Sequence, residues 1–117
     1  MKIVIVSDHA GYDLKEKIIE NFNNIINFTD LGTNSSASVD YPDYAHMAAM
    51  KMQDKKYQFA ILICGSGNGI QMTANKHQNI RCALCWNQEI AELARAHNDA
   101  NALALPARYL NFSDAFN

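Results

Sequence analysis

Residues Phe59 to Cys64 read FAILIC, and Gly65-Ser66-Gly67-Asn68-Gly69 follows without a break. No other stretch constrains the chain as strongly. Six consecutive apolar residues leave no polar face, so a strand built from them has to be covered on both sides, as in a parallel sheet. Three glycines at alternate positions directly after it predict a tight turn from strand into helix. A second run of the same kind, KIVIVS at Lys2 to Ser7, predicts another doubly buried strand. Shorter ones are predicted at Ile25 to Leu31, Ile80 to Cys85 and Ala102 to Leu105. Helical spacing of apolar residues fills the gaps. Leu14, Ile18, Ile19 and Phe22 mark a helix from Gly11 to about Asn24, and Ala45, Ala48, Ala49 and Met52 mark one from Tyr44 to Asp54. A third helix runs from the glycine loop to about His77, and a fourth, capped by Asn87, to about Ala96. Thr33 to Asp43 reads as a polar loop. Strands alternating with helices predict an α/β fold, a three-layer α/β/α sandwich around a Rossmann-like five-stranded parallel sheet. With 117 residues there is room for one domain.

Composition narrows the partners. A net charge of −2 provides no electrostatic footprint for nucleic acid or an anionic membrane. No apolar run approaches the roughly 18 residues of a membrane span. The N-terminus has no signal-peptide pattern, since Asp8 and His9 interrupt its apolar run. Three cysteines, an odd number without an export signal, place the chain in a reducing cytoplasm.

In an open parallel sheet, ligands bind beyond the carboxyl ends of the strands. Asp8 and His9 follow the first strand, Asp40 and Tyr41 close the loop after the second, and Cys64 with its glycine loop follows the third. They converge if strands one and three are neighbours. The loop is neither a dinucleotide fingerprint, since residue 70 is Ile, nor a P-loop, since no Gly-Lys-Ser/Thr follows. What is left is a run of backbone N–H groups at a helix start, an anion-binding nest, with a plain turn as the alternative. Cys64 lies where such a dipole would favour thiolate, with a small buried hydrophobe as the alternative. Cys82 and Cys85 form a C-x-x-C, but on a strand residues three apart point to opposite faces, which suits neither a redox pair nor a metal site. His97 follows Ile90, Leu93 and Ala94 at helical spacing and is expected on an inward helix face. His46 and His77 read as isolated surface groups. Arg108, after the fifth strand, is one of three arginines. No ligand set for a metal is visible, so the chemistry on offer is proton transfer by a thiol, a histidine and an oxyanion nest, without a cofactor.

Several stretches, taken together, resemble the RpiB/LacAB family of sugar-phosphate isomerases. They are S-D-H-A-G at Ser7 to Gly11, D-L-G-T at Asp30 to Thr33, D-Y-P-D-Y-A at Asp40 to Ala45, I-L-I-C-G-S-G-N-G-I at Ile61 to Ile70, A-N-K at Ala74 to Lys76 and A-R-A-H-N-D-A-N at Ala94 to Asn101. The resemblance covers nearly the whole chain in order. It implies interconversion of ribose 5-phosphate and ribulose 5-phosphate, a pentose phosphate pathway step, through a cis-enediolate. By this resemblance Cys64 moves the proton, Ser66 stands beside it, and Gly65, Gly67, Asn68, Gly69 and Ile70 form the nest. His97 helps open the sugar ring and Asp8 contacts sugar hydroxyls and handles a proton in ring opening. His9 and Arg108 face the phosphate, Tyr41 lines the sugar and Asn98 bonds its oxygens. It also implies the sheet order 2-1-3-5-4 and a homodimer or homotetramer with shared active sites, one subunit's His97 reaching its partner's cleft.

Two departures stand out. Asn68 replaces a small apolar residue usual in the family, and the family usually continues into a C-terminal helix carrying phosphate-binding arginines. Here Ser113 and Asp114 suit a helix start and the sequence ends at Asn117, with nothing basic after Arg108. A single domain, 1–117, lacking that helix is expected to hold phosphate through Arg108, His9 and backbone amides, with a raised KM. Competing readings are an isomerase of a six-carbon sugar phosphate (allose or galactose 6-phosphate) and a non-catalytic phosphosugar-binding subunit.

Overall fold

The structure, a computed structural model, describes residues 1–110. The two doubly apolar runs form strands with the bounds expected, β1 (Lys2–Ser7) and β3 (Phe59–Cys64). Around them lie β2 (Asn27–Asp30), β4 (Cys82–Leu84) and β5 (Ala102–Pro106). All five are parallel, in the order β2-β1-β3-β5-β4. Ser7 is in register with Ile63 and Cys64 with Pro106, so the ends of β1, β3 and β5 form one edge.

The helices are α1 (Tyr12–Phe22), α2 (Tyr41–Lys51), α3 (Asn68–Ala74) and α4 (Gln88–Asn98). A single 3-10 turn, His9–Gly11, precedes α1. Helix α2 begins three residues earlier than its alanine spacing indicates. Pro42 stands in its first turn, where a missing N–H costs nothing and the fixed φ is already helical. It also ends earlier, at Lys51. Beyond α3 the chain continues in turns, with the His77 amide bonded to the Ala74 carbonyl.

Two apolar layers flank the sheet. On one face Val4, Val6, Leu62, Cys64 and Ala104 pack against Ala45, Ala48 and Ala49 of α2 and Ile70 and Ala74 of α3. On the other, Ile5, Ile63 and Leu105 pack against Leu14 and Ile18 of α1. Lys15 of α1 is fully buried, its Nζ 2.7 Å from Asp30 and 2.8 Å from Glu16, which ties α1 to the end of β2.

Two expectations are corrected. Asn87 does cap α4, accepting from the Ile90 amide at 2.9 Å, yet no residue of α4 is buried. Ile90 and Leu93 are 42% and 46% exposed, and His97 is exposed rather than inward. Periodicity identified the apolar stripe but not what covers it. Beneath α4 runs a groove of about 240 Å³ lined by Ile3, Ile61, Ala83, Ala91, Ala94 and Leu103. His46 and His77 are not isolated: His46 Nδ1 lies 2.8 Å from His77 Nε2, because α2 packs beside α3. No helix among the described residues is long and apolar enough to cross a membrane.

Candidate active site

At the carboxyl edge of β1, β3 and β5 lies a cleft of about 350 Å³, lined by Asp8, Tyr41, Cys64, Gly65, Ser66, Gly69, Arg108 and Tyr109. Its floor is the loop joining β3 to α3. The chain must reverse there between a buried strand and a buried helix, and Gly67 makes this possible with φ +78. A Cβ on Gly67 would meet Leu84 Cδ1 at 2.4 Å and the Leu105–Pro106 backbone at 3.2–3.3 Å, so no side chain fits. The Asn68 amide donates to Ser66 Oγ at 3.2 Å, whereas the amides of Ser66, Gly67 and Gly69 have no backbone partner among the described residues. Unpaired amides beside a cleft are suited to an oxyanion.

The walls lie close over the glycines. The Tyr41 ring covers Gly69, where an added Cβ would come within 2.5 Å of it, and the Arg108 side chain lies 3.3 Å from the Cβ position of Gly65. Both follow from the ends of elements: Tyr41 opens α2, and Arg108 is held behind β5 by its own amide bonded to the Gly65 carbonyl at 2.9 Å. Asp8 is almost buried. Its amide bonds the Ile63 carbonyl, and its Oδ1 accepts from the Gly11 amide at 3.1 Å, capping the 3-10 turn. His9 Nδ1 lies 3.2 Å from both the N–H and C=O of Val39, and so meets the loop before α2 in either tautomer.

Cys64 is buried to 4% exposure but opens on the cleft. The other two thiols are buried away from this cleft, Cys85 at the groove beneath α4 and Cys82 beside a pocket at the amino end of β4. Burial, and secondarily Cys85, pushes the Cys82 thiol up to about 12, and burial raises that of Cys85. All three cysteines are free. No cluster of three or more His, Cys, Asp or Glu suited to a metal occurs among the described residues.

The structure thus brings Asp8, Tyr41, Cys64, Gly65, Ser66, Gly69 and Arg108 together, with His9 beside them. Gly67 shapes the loop, Asn68 is exposed, and the Ile70 side chain is fully buried in the core, so only its backbone belongs to the nest. His97 and Asn98 lie elsewhere. Helix α4 runs antiparallel to the strands and ends at the amino edge, the length of β5 away, about 13 Å at strand rise. The Asn98 carbonyl there accepts from Arg81 Nε at 2.8 Å. Sequence reasoning missed Tyr109, although the strand-end rule that selected Arg108 applies equally to its neighbour. The helix start expected at Ser113 and Asp114 lies outside the described residues.

A doubly wound parallel sheet with a cleft at its switch point, lined by a thiol, a carboxylate and unpaired amides, is the architecture of an α/β enzyme. The sequence profile of the ribose/galactose isomerase family matches residues 3–117. A putative sugar phosphate isomerase of Rickettsia bellii is 44% identical over 115 residues, covering 97% of this chain and 80% of its own. Ribose-5-phosphate isomerase B of Clostridium thermocellum superposes with a TM-score of 0.96 at 42% identity, over 99% of this chain and 79% of that one. The enzyme of that name from Mycoplasma genitalium, solved with bound ribulose-5-phosphate, gives 0.90 at 40% identity, over 97% and 77%. The chain belongs to the ribose/galactose isomerase family of sugar-phosphate isomerases.

Proposed function

We propose that this chain interconverts ribose 5-phosphate and ribulose 5-phosphate, and that residues 1–117 form one isomerase domain. The observation that carries the reading is Cys64 opening on the same cleft as Asp8, Arg108 and the unpaired loop amides. Cys64 takes the proton from C2 of the open-chain aldose and returns it to C1. The hydroxyl proton passes from O2 to O1, so the step is redox-neutral overall and uses no external oxidant. A carbon acid next to a carbonyl is too weak for a thiolate alone. Preorganised donors at the developing oxyanion contribute on the order of 3–4 kcal/mol each, and the positioned base adds roughly 10²- to 10⁴-fold. Ser66 stands beside the thiol, Asp8 holds sugar hydroxyls and handles the ring-opening proton, and Tyr41 lines the sugar. Arg108, His9 and backbone amides hold the phosphate, while the loop amides hold the enediolate oxygen.

His97 and Asn98 serve the cleft of a second subunit. Their place at the opposite edge keeps them from their own Cys64, and the exposed Ile90 and Leu93 of α4 offer an apolar stripe for a partner. The working unit is a homodimer or homotetramer with shared active sites, acting in the cytoplasm on the pentose phosphate pathway. The test is to mix the purified chain with ribose 5-phosphate, and in parallel with allose and galactose 6-phosphates, and to follow ketose formation. Turnover of ribose 5-phosphate with the highest kcat/KM is expected. Preference for a six-carbon phosphate would change the substrate, and no turnover of any would leave a binding subunit.

A further inference from the structure

Two exposed aromatic rings pair beyond the ends of β4 and β5, and one of them, Tyr109, lines the cleft. Trp86 follows β4 and Tyr109 follows β5, neighbouring strands that end at the same edge. Their rings are 5.9 Å apart and tilted by 40°, within the range of a favourable aromatic pair. They are 45% and 64% exposed, so the pair leaves apolar area in water that folding alone does not remove. Tyr109 lines the cleft alongside Cys64 and Arg108, and Arg108 immediately precedes it with its side chain along Gly65. A cation for a phosphate and a ring for the carbons before it are thus offered by consecutive residues.

We infer that Tyr109, backed by Trp86, is a substrate-binding wall on which the C–H face of the sugar phosphate's carbon chain stacks. The inference rests on the sugar-phosphate reading above and adds a contact to it. Carbohydrate C–H groups are apolar while the hydroxyls are not. A flat ring therefore takes one face of the chain and leaves the oxygens to Asp8 and the loop amides. Trp86 fixes the angle of Tyr109, so its removal acts on binding through that ring.

Trp86 is the only tryptophan in the sequence, which makes the wall directly observable. In the Cys64→Ala variant, expected to bind substrate without converting it, ribose 5-phosphate should shift or quench the tryptophan emission. The half-saturation should match that of calorimetric binding. Inorganic phosphate should leave the emission unchanged. With Cys64 intact, Tyr109→Val should raise KM about tenfold and leave kcat within about twofold, the pattern of lost uniform binding. Tyr109→Phe should restore KM, and Trp86→Phe should raise it only two- to threefold. Calorimetric binding with silent tryptophan emission, or a Tyr109→Val KM within twofold of wild type, would overturn the wall alone. Emission that responds to dilution of the protein and not to sugar would assign the pair to a subunit interface instead. Absence of both binding and turnover would overturn this inference together with the proposed activity.

Discussion

Cys64 and Cys82 are both buried thiols on the α2/α3 side of the sheet, and their surroundings separate them chemically. Cys82 lies beside a separate pocket at the amino end of β4, and burial pushes its thiol up to about 12, whereas Cys64 opens on a cleft floored by amides. A small alkylating reagent applied to the native protein at pH 8 should therefore modify Cys64 alone, with loss of activity in step. Cys82 and Cys85 should react only after unfolding, and a stoichiometry of two or three under native conditions would refute the assignment. Cys64→Ala should lower kcat by at least 10²-fold with little change in melting temperature, as expected of a general base. A rate within about tenfold of wild type, accompanied by a lower melting temperature, would return Cys64 to the role of a packing residue. Much at this scale was legible in the sequence, because the strand-end rule needs only the ends of the apolar runs. It selected Asp8, Tyr41, Cys64 and Arg108. Tyr109 escaped because no motif marks it, and the His46–His77 bond escaped because it depends on α2 and α3 packing side by side, which residue spacing does not encode.

At the scale of elements, the doubly apolar β1 and β3 were readable to the residue, since a continuous run has sharp ends. Helix α2 was not, because D-Y-P-D resembles a turn until Pro42 is placed in the first helical turn. The inward stripe expected of α4 failed for a different reason. An amphipathic period reports that a face is to be covered and is silent about whether the cover belongs to the same chain. Lys15 joins two elements, and its chemistry is open to titration. Burial opposes its charge, but the hydrogen bonds to Asp30 and Glu16 outweigh that, and its pKa is raised above 10.5. Folding thus favours the protonated amine. That stabilisation is complete below the unfolded pKa and is lost as pH rises through the higher folded value. Asp30 and Glu16 retain contact with water, so Lys15→Met should cost about 2 kcal/mol near neutrality, below the range for a wholly buried pair. Denaturant titrations of both proteins from about pH 8 upward should show this gap steady at first and narrowing above roughly pH 10.5. A gap that widened with pH would place the stabilisation elsewhere.

For the whole molecule, the order β2-β1-β3-β5-β4 sets the cleft at one edge and the end of α4 at the other. The proposed sharing of sites then makes a definite prediction. Cys64→Ala and His97→Asn chains should each be nearly inactive alone. Unfolded together in equal amounts and refolded, half of the dimers are mixed, and each mixed dimer contains one site with both an intact thiol and an intact imidazole. About a quarter of wild-type activity should return. No recovery, with mixed dimers demonstrated by mass, would mean that His97 does not act across subunits. The same separation of edges reaches into inheritance. Two defective copies of such a gene, harmed at different positions, can restore each other in one cell, whereas a single copy carrying both changes rescues nothing. Damage to this enzyme would then be counted by which edge of the sheet each mutation strikes, and not only by how many mutations a copy carries.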